Sequence, residues 1–284
     1  MPTAMAAAAV ADPVFRTLNP MLRTANPVFG IVAVRTVQAS LGAMAVHYAL
    51  HWPWTGPHAL GLFLTPALCA YFVFVFVAPW TWGLPILARL DTQERVVALT
   101  FDDGPTRAVT PRILEALARC EAKATFFVLG SQVPGNEVVL RGIAEGGHTL
   151  GLHGQTHAPL VLPPWGRVGR TLAEARASVE RACPKASIRW LRAPHGFKSM
   201  ALPWLARRAD LELCAWSINS RDYQLSDPQQ IAHNVLKAVR PGAIVLLHDG
   251  EGCAATAEAL PLILDGLARQ GYRCVALPSL GESV

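Results

Sequence analysis

Hydrophobic and polar positions follow two different rules along this chain. Residues 59–80 form a run of 22 positions without a single charge, the length that crosses a bilayer core. Trp80 and Trp82 at its end match the aromatic belt of a membrane interface. An earlier apolar stretch, residues 30–50, carries Arg35, Gln38 and His47 and reads as a second span or an amphipathic helix lying on a membrane surface. The Trp- and Pro-rich connection His51–His58 reads as an interfacial turn. The expected organisation is therefore an Ala/Pro-rich tail over 1–29, a membrane-anchoring region over 30–90, and a separate domain over 91–284.

In that third region short apolar runs alternate with helical spacing. Strands are predicted at 96–101, 126–129, 148–152, 188–191, 213–218, 243–247 and 274–277. Helices are predicted at 110–120, 136–145, 171–182, 229–239 and 256–269. Thr110 reads as a helix N-cap with Pro111 at the first helical position. Repeated β–α alternation over this length argues for a parallel sheet or a (β/α) barrel.

Composition supports a lipid-associated segment: the chain is 52% hydrophobic and only 16% charged, where globular domains carry about a quarter. The formal net charge of +5 suits an anionic partner such as a phospholipid headgroup or a lipid-linked phosphate. Nucleic acid is not expected, because no Lys/Arg run interleaved with aromatics occurs. The six cysteines, spaced without any Cys-x-x-Cys pair, read as isolated thiols.

Candidate chemistry gathers where strands are predicted to end. Thr100-Phe-Asp-Asp-Gly-Pro105 puts Asp102 and Asp103 at the end of the first strand, and in barrels that edge is where active sites are built. His153-Gly-Gln-Thr-His157 sets two imidazoles four residues apart, able to share a metal on one side of a turn. One carboxylate with these two histidines makes a three-ligand site with room left for water, the pattern of a catalytic zinc-type centre. His248 ends a buried strand and titrates near neutrality, as a general acid requires. Arg192 in Arg-Ala-Pro-His-Gly196 is able to hold a carboxylate bidentately. Trp216-Ser-Ile-Asn-Ser-Arg-Asp-Tyr223 adds Asn219 and Asp222.

This ordered set resembles the polysaccharide deacetylases of carbohydrate esterase family 4, the NodB-homology domain, over roughly residues 92–280. The resemblance implies a distorted (β/α) barrel. It implies that Asp103, His153 and His157 hold a divalent metal, Zn2+ first and Co2+, Ni2+ or Mn2+ as substitutes. Asp102 is then the general base, Arg192 its orienting partner, the backbone N–H of His195 an oxyanion donor, and His248 the general acid. Leu246 and Tyr223 line the substrate pocket. The chain departs from the family pattern at His195, where a Tyr is usual, and at Asn219, read as the place of the Asp that partners the catalytic histidine. Asn219 is expected to orient His248 without stabilising its imidazolium, which lowers the His248 pKa relative to relatives; Asp222 stands nearby as a compensating carboxylate.

The resemblance implies hydrolysis of an N-acetyl or N-formyl group from an amino sugar of a polysaccharide or a lipid-linked glycan, and the apolar segments place it at a bacterial cytoplasmic membrane. Arg16 and Arg23 before the apolar pair, with Arg89 and Arg95 after it, place the enzyme domain on the cytoplasmic side with two spans and outside with one. The competing expectation is a catalytically silent glycan-binding or scaffold protein on the same fold.

Overall fold

The computed structural model describes residues 68, 86–160, 165–197, 199 and 201–278. The chain divides between Trp82 and Gly83 into two units, and the elements below belong to the second. In order they are β1 (Ile86–Leu87), β2 (Val96–Asp102), α1 (Thr110–Arg119), β3 (Thr125–Val128), α2 (Glu137–Glu145), β4 (Thr149–Leu152), α3 (Trp165–Ala182), β5 (Ile188–Leu191), α4 (Leu202–Arg208), β6 (Glu212–Cys214), β7 (Ile218–Asn219), α5 (Pro228–Ala238), β8 (Ala243–His248), α6 (Ala254–Arg269) and β9 (Arg273–Val275).

Every pairing between these strands is parallel, in the order β1-β6-β5-β4-β3-β2-β8-β7. β9 runs beside the first half of β2 (Val96–Ala98), whereas β3 pairs with its second half (Thr100–Asp102). The curved sheet is bridged between its end strands: Ala215 N–H donates to Leu87 O and Ser217 N–H to Ile244 O. This crossing explains why one strand predicted over 213–218 appears as two, β6 and β7. The first leg serves β1 and the second serves β8. The arrangement is the expected α/β barrel in distorted form. α4 and β1 have no counterpart among the predicted elements, because both are too short to show a period, and α3 begins six residues before its predicted start.

β2 reads Val-Val-Ala-Leu-Thr-Phe-Asp and is buried at all of its positions, as a strand covered on both faces must be. Side chains alternate across it. Val97, Leu99 and Phe101 share one face, and Phe101 stacks on Phe126 at 5.0 Å between ring centres. Val96, Ala98, Thr100 and Asp102 share the other. Val96 and Ala98 join Phe127, Trp190, Cys214 and Ile244 in one buried apolar cluster, which closes the lower part of the barrel. Polar residues begin one turn of the pleat above it. Because all strands run the same way, Asp102 lies level with His248 in the β2–β8 register, at the common C-terminal edge.

α1 buries Thr110, Ile113, Ala116 and Leu117 along one stripe. Thr110 is inside this helix and does not cap it. Its hydroxyl donates to Asp249 Oδ2 (2.6 Å) and accepts from the Thr106 N–H, tying the loop after β2 to the loop after β8.

The expectation of a membrane location is corrected: among the described residues no helix is long and apolar enough to cross a membrane. The segments 30–50 and 59–80, on which that expectation stood, lie outside the described residues apart from position 68.

Gly151 in β4 is required by close approach. A Cβ there would sit 2.8 Å from Phe127 Cδ1 and 3.1 Å from Trp190 O. Gly151→Ala is therefore expected to lose about 1–3 kcal/mol of stability, read from the urea midpoint of the purified protein.

Candidate active site

The upper edge of the barrel opens into a cleft of about 680 Å3 lined by Asp102, Asp103, His153, His157, His195, Trp216, Asn219, Asp222, Tyr223, Leu246 and His248, among others. All of the sequence-predicted site residues except Arg192 thus line one opening. Arg192 lies beneath it, fully buried.

The guanidinium of Arg192 organises the floor. Nη1 donates to Asp102 Oδ1 (2.8 Å) and to Thr100 Oγ1 (2.7 Å), and Nη2 donates to Ala215 O (2.8 Å). Its plane lies over the Phe127 ring, 4.1 Å from the centroid, a stacked cation–π arrangement. The expected bidentate grip on one carboxylate is corrected: the fork is divided among four acceptors, because the turn at Cys214 and Ala215 takes the second arm. Burial raises the Asp102 pKa, and the Arg192 charge opposes that rise. Asp102 Oδ2, the oxygen not bonded to Arg192, faces His153 Nε2 at 3.8 Å.

Asp103, His153 and His157 bring one ligand atom each to within 4.8 Å of one another. His153 Nδ1 lies 2.8 Å from Arg192 O. A carbonyl only accepts, so the ring proton is on Nδ1 and Nε2 presents its lone pair. Burial lowers the His153 pKa to about 3, so the ring is neutral at ordinary pH. Burial likewise lowers His157. Asp103 Oδ1 stands 3.5 Å from His153 Nε2 and 3.4 Å from His157 Nε2, is buried, and has no hydrogen-bond partner. An unpartnered carboxylate oxygen, a ring lone pair and a second imidazole nitrogen converging in this way fit a divalent cation, and the mixed N/O set suits zinc.

At the end of the neighbouring strand β8, His248 Nδ1 meets Asp222 Oδ1 at 2.7 Å, and the His248 N–H donates to Asp222 Oδ2, also at 2.7 Å. Burial pushes His248 down, but the Asp222 hydrogen bond and charge outweigh it and raise the pKa to about 9. Asp222 itself is lowered despite burial, its hydrogen bonds prevailing. The expectation for Asn219 is thereby corrected. Its Oδ1 accepts from the Arg221 N–H (2.9 Å) and its Nδ2 points to Tyr223 Oη (3.4 Å), so it shapes the turn after β7 and does not orient His248. Position 222 lies one turn further, where the loop folds back under the imidazole. The lowered His248 pKa expected from Asn219 is corrected with it.

His195 adopts the left-handed region (φ 58°), and its exposed ring packs edge-on against His157 at 4.1 Å. Tyr223 stands half out of the surface, 5.4 Å edge-on from His248. Leu246 is buried at the cleft floor. Sequence reasoning missed the supporting shell: Thr100 under Arg192, Thr256 and Ser220 around Asp222, and buried Asp249, whose pKa burial raises to about 7. Thr100, Ser220 and Asp249 lie inside or beside the quoted motifs, whereas Thr256 carries no local signal.

A family model described as polysaccharide deacetylase matches residues 89–214. A chitooligosaccharide deacetylase of Bradyrhizobium sp. (strain ANU 289) is 35% identical over 66% of this chain and 90% of its own length. A peptidoglycan-N-acetylglucosamine deacetylase of Bacillus cereus is 30% identical over 70% of this chain and 92% of its own. The crystal structure of the Bc1960 peptidoglycan N-acetylglucosamine deacetylase superposes with a TM-score of 0.67 at 28% identity, covering 71% of this chain and 95% of that one.

Asp103→Asn replaces one anionic ligand and leaves a neutral amide among the imidazoles. It is expected to weaken Zn2+ binding by at least about 100-fold, as measured by calorimetric titration of the metal-stripped protein.

Proposed function

Because the chain belongs to the polysaccharide deacetylase family, we propose that its cleft removes N-acetyl groups from N-acetylglucosamine residues of an oligomeric glycan, releasing acetate and a free sugar amine. The observation that carries this is one buried carboxylate and one imidazole, each held by its own counter-charge, at paired positions of adjacent strands beside a cluster of Asp103, His153 and His157 that fits a metal. The chain is an amide hydrolase by family. The acetyl group, the glycan and zinc are the finer reading.

In this reading Asp103, His153 and His157 hold the cation, which when bound polarises the amide carbonyl and lowers the pKa of a water in reach of it. Asp102 accepts a proton from that water at Oδ2, since Oδ1 is engaged by Arg192. Burial makes Asp102 a stronger base than a solvated carboxylate, and Arg192 keeps it ionised. The His195 backbone N–H assists at the carbonyl oxygen. His248, protonated because Asp222 stabilises its cation, donates from Nε2 to the leaving nitrogen. The C–N bond breaks with the water oxygen on carbon and both protons accounted for. Leu246 and Trp216 bound the space for the acyl methyl, with Tyr223 on the rim. The family match stops at residue 214, while Asp222 and His248 lie beyond it, so the catalytic unit is taken as residues 91–284.

The zinc-loaded protein is expected to release amine and acetate from chitooligosaccharides or peptidoglycan fragments, to lose this with a chelator and regain it with added metal. A lipid-linked N-acyl amino sugar and N-formylated oligomers serve as further arms. Absence of amine from every substrate would sink the proposal.

The acid assignment predicts a sign. Activity that needs protonated His248 persists as pH rises and falls through the His248 pKa, which Asp222 raises. Asp222→Asn removes the anion and leaves burial unopposed. The alkaline limb of the kcat profile is expected to move down by more than about one unit, with kcat reduced about 100-fold or more.

A further inference from the structure

Asp222 receives five hydrogen bonds, more than any other carboxylate among the described residues. Oδ1 accepts from His248 Nδ1 (2.7 Å), Ser220 Oγ (3.0 Å) and the Tyr223 N–H (3.0 Å). Oδ2 accepts from the His248 N–H (2.7 Å) and Thr256 Oγ1 (2.8 Å). Four of these donors lie on the β7–α5 loop or on His248 itself. Thr256 is the exception. It sits in the first turn of α6, is completely buried, and sends its hydroxyl across to another element although the start of its own helix has no side-chain cap. A buried threonine hydroxyl that goes outside its helix to a carboxylate is an aimed contact.

We propose that Thr256 is a positioning residue for the acid step, locking the Asp222 carboxylate so that Oδ1 stays in line with His248 Nδ1. The carboxylate rotates about its last bond, and each oxygen needs its own restraint to stop that rotation. The His248 N–H alone restrains Oδ2 from the strand side, and Thr256 supplies the restraint from the helix side. Charge-assisted hydrogen bonds of this length are the strong class. Loss of the Thr256 bond leaves a buried lone pair uncompensated and Oδ2 held by the His248 N–H alone, so the carboxylate is less firmly oriented. The groups facing the pair do not substitute for it. Asp102 and Asp103 act on His248 from β2, Cys253 adjoins Asp222 from the start of α6, and Tyr223 lies edge-on to the ring, and none of their side chains donates to Oδ2.

The test uses the metal-loaded full chain with Thr256→Val, which keeps the shape and removes the hydroxyl, and Thr256→Ser, which keeps the hydroxyl. In 15N-labelled protein the His248 Nδ1–H resonance is expected to move upfield in the valine variant and return in the serine variant. In turnover the valine variant is expected to lose about tenfold in kcat with KM within about twofold, and serine to restore it. Zinc stoichiometry near one in all three proteins shows the fold intact. An unmoved resonance in Thr256→Val, or a serine variant no better than valine, overturns the inference. The kcat part rests on the deacetylase reading; if the unsubstituted protein turns over no glycan, that reading fails, while the resonance still decides the role of Thr256.

Discussion

One buried ion pair holds this site together. Arg192 is wholly enclosed, and its charge is compensated by Asp102, with Thr100, Ala215 and the Cys214 sulfur accepting from its two terminal nitrogens and the Phe127 ring 4.1 Å from its central carbon. A charge placed so deep is tolerable only when it is paired and hydrogen-bonded. That requirement reaches outward. It fixes the end of β2, where Asp102 and Asp103 part company, one inward to the guanidinium and one to the histidines. It also fixes His153, whose ring is oriented by the carbonyl of the same arginine. The proposed base and one proposed metal ligand therefore share a single anchor.

The acid side is built separately and by the opposite means. His248 lies level with Asp102 in the sheet register, yet its partner comes from the loop after β7, the strand on the other side of β8. Asp102 is raised by burial and restrained by a cation; His248 is raised by an anion that overcomes burial. Environments that push a carboxylate and an imidazole on neighbouring strands toward basic and acidic roles would let one cleft carry out both of the proposed proton transfers near neutral pH. The apolar cluster below them, from Val96 to Ile244, keeps water from reaching the pair from beneath.

Much of this was readable before any coordinates. Val96–Phe101 is a mostly apolar run that leads into two aspartates, and a run followed by charge is legible at short range. The His-x-x-x-His pair and the strand ending in His248 were legible for the same reason. What failed were relations across space. Asn219 and Asp222 are three residues apart, and spacing alone does not tell which one the loop turns under the imidazole. Arg192 offered a fork, but nothing local indicated that Ala215 would take one arm. Thr256 is an ordinary threonine until α6 docks. The split of 213–218 into two short strands follows from ring closure, a property of the whole sheet.

The measurement that bears most directly on the organising role of the pair is a thermodynamic cycle by chemical denaturation on Arg192→Met, Asp102→Asn and the double variant. Arg192→Met leaves Asp102 buried without its counter-charge and is expected to cost about 3–5 kcal/mol. Adding Asp102→Asn removes the uncompensated anion, so the double variant is expected to be more stable than Arg192→Met alone. A double variant as unstable as the sum of the two single losses would contradict the account, because it would mean that the two side chains stabilise the barrel independently.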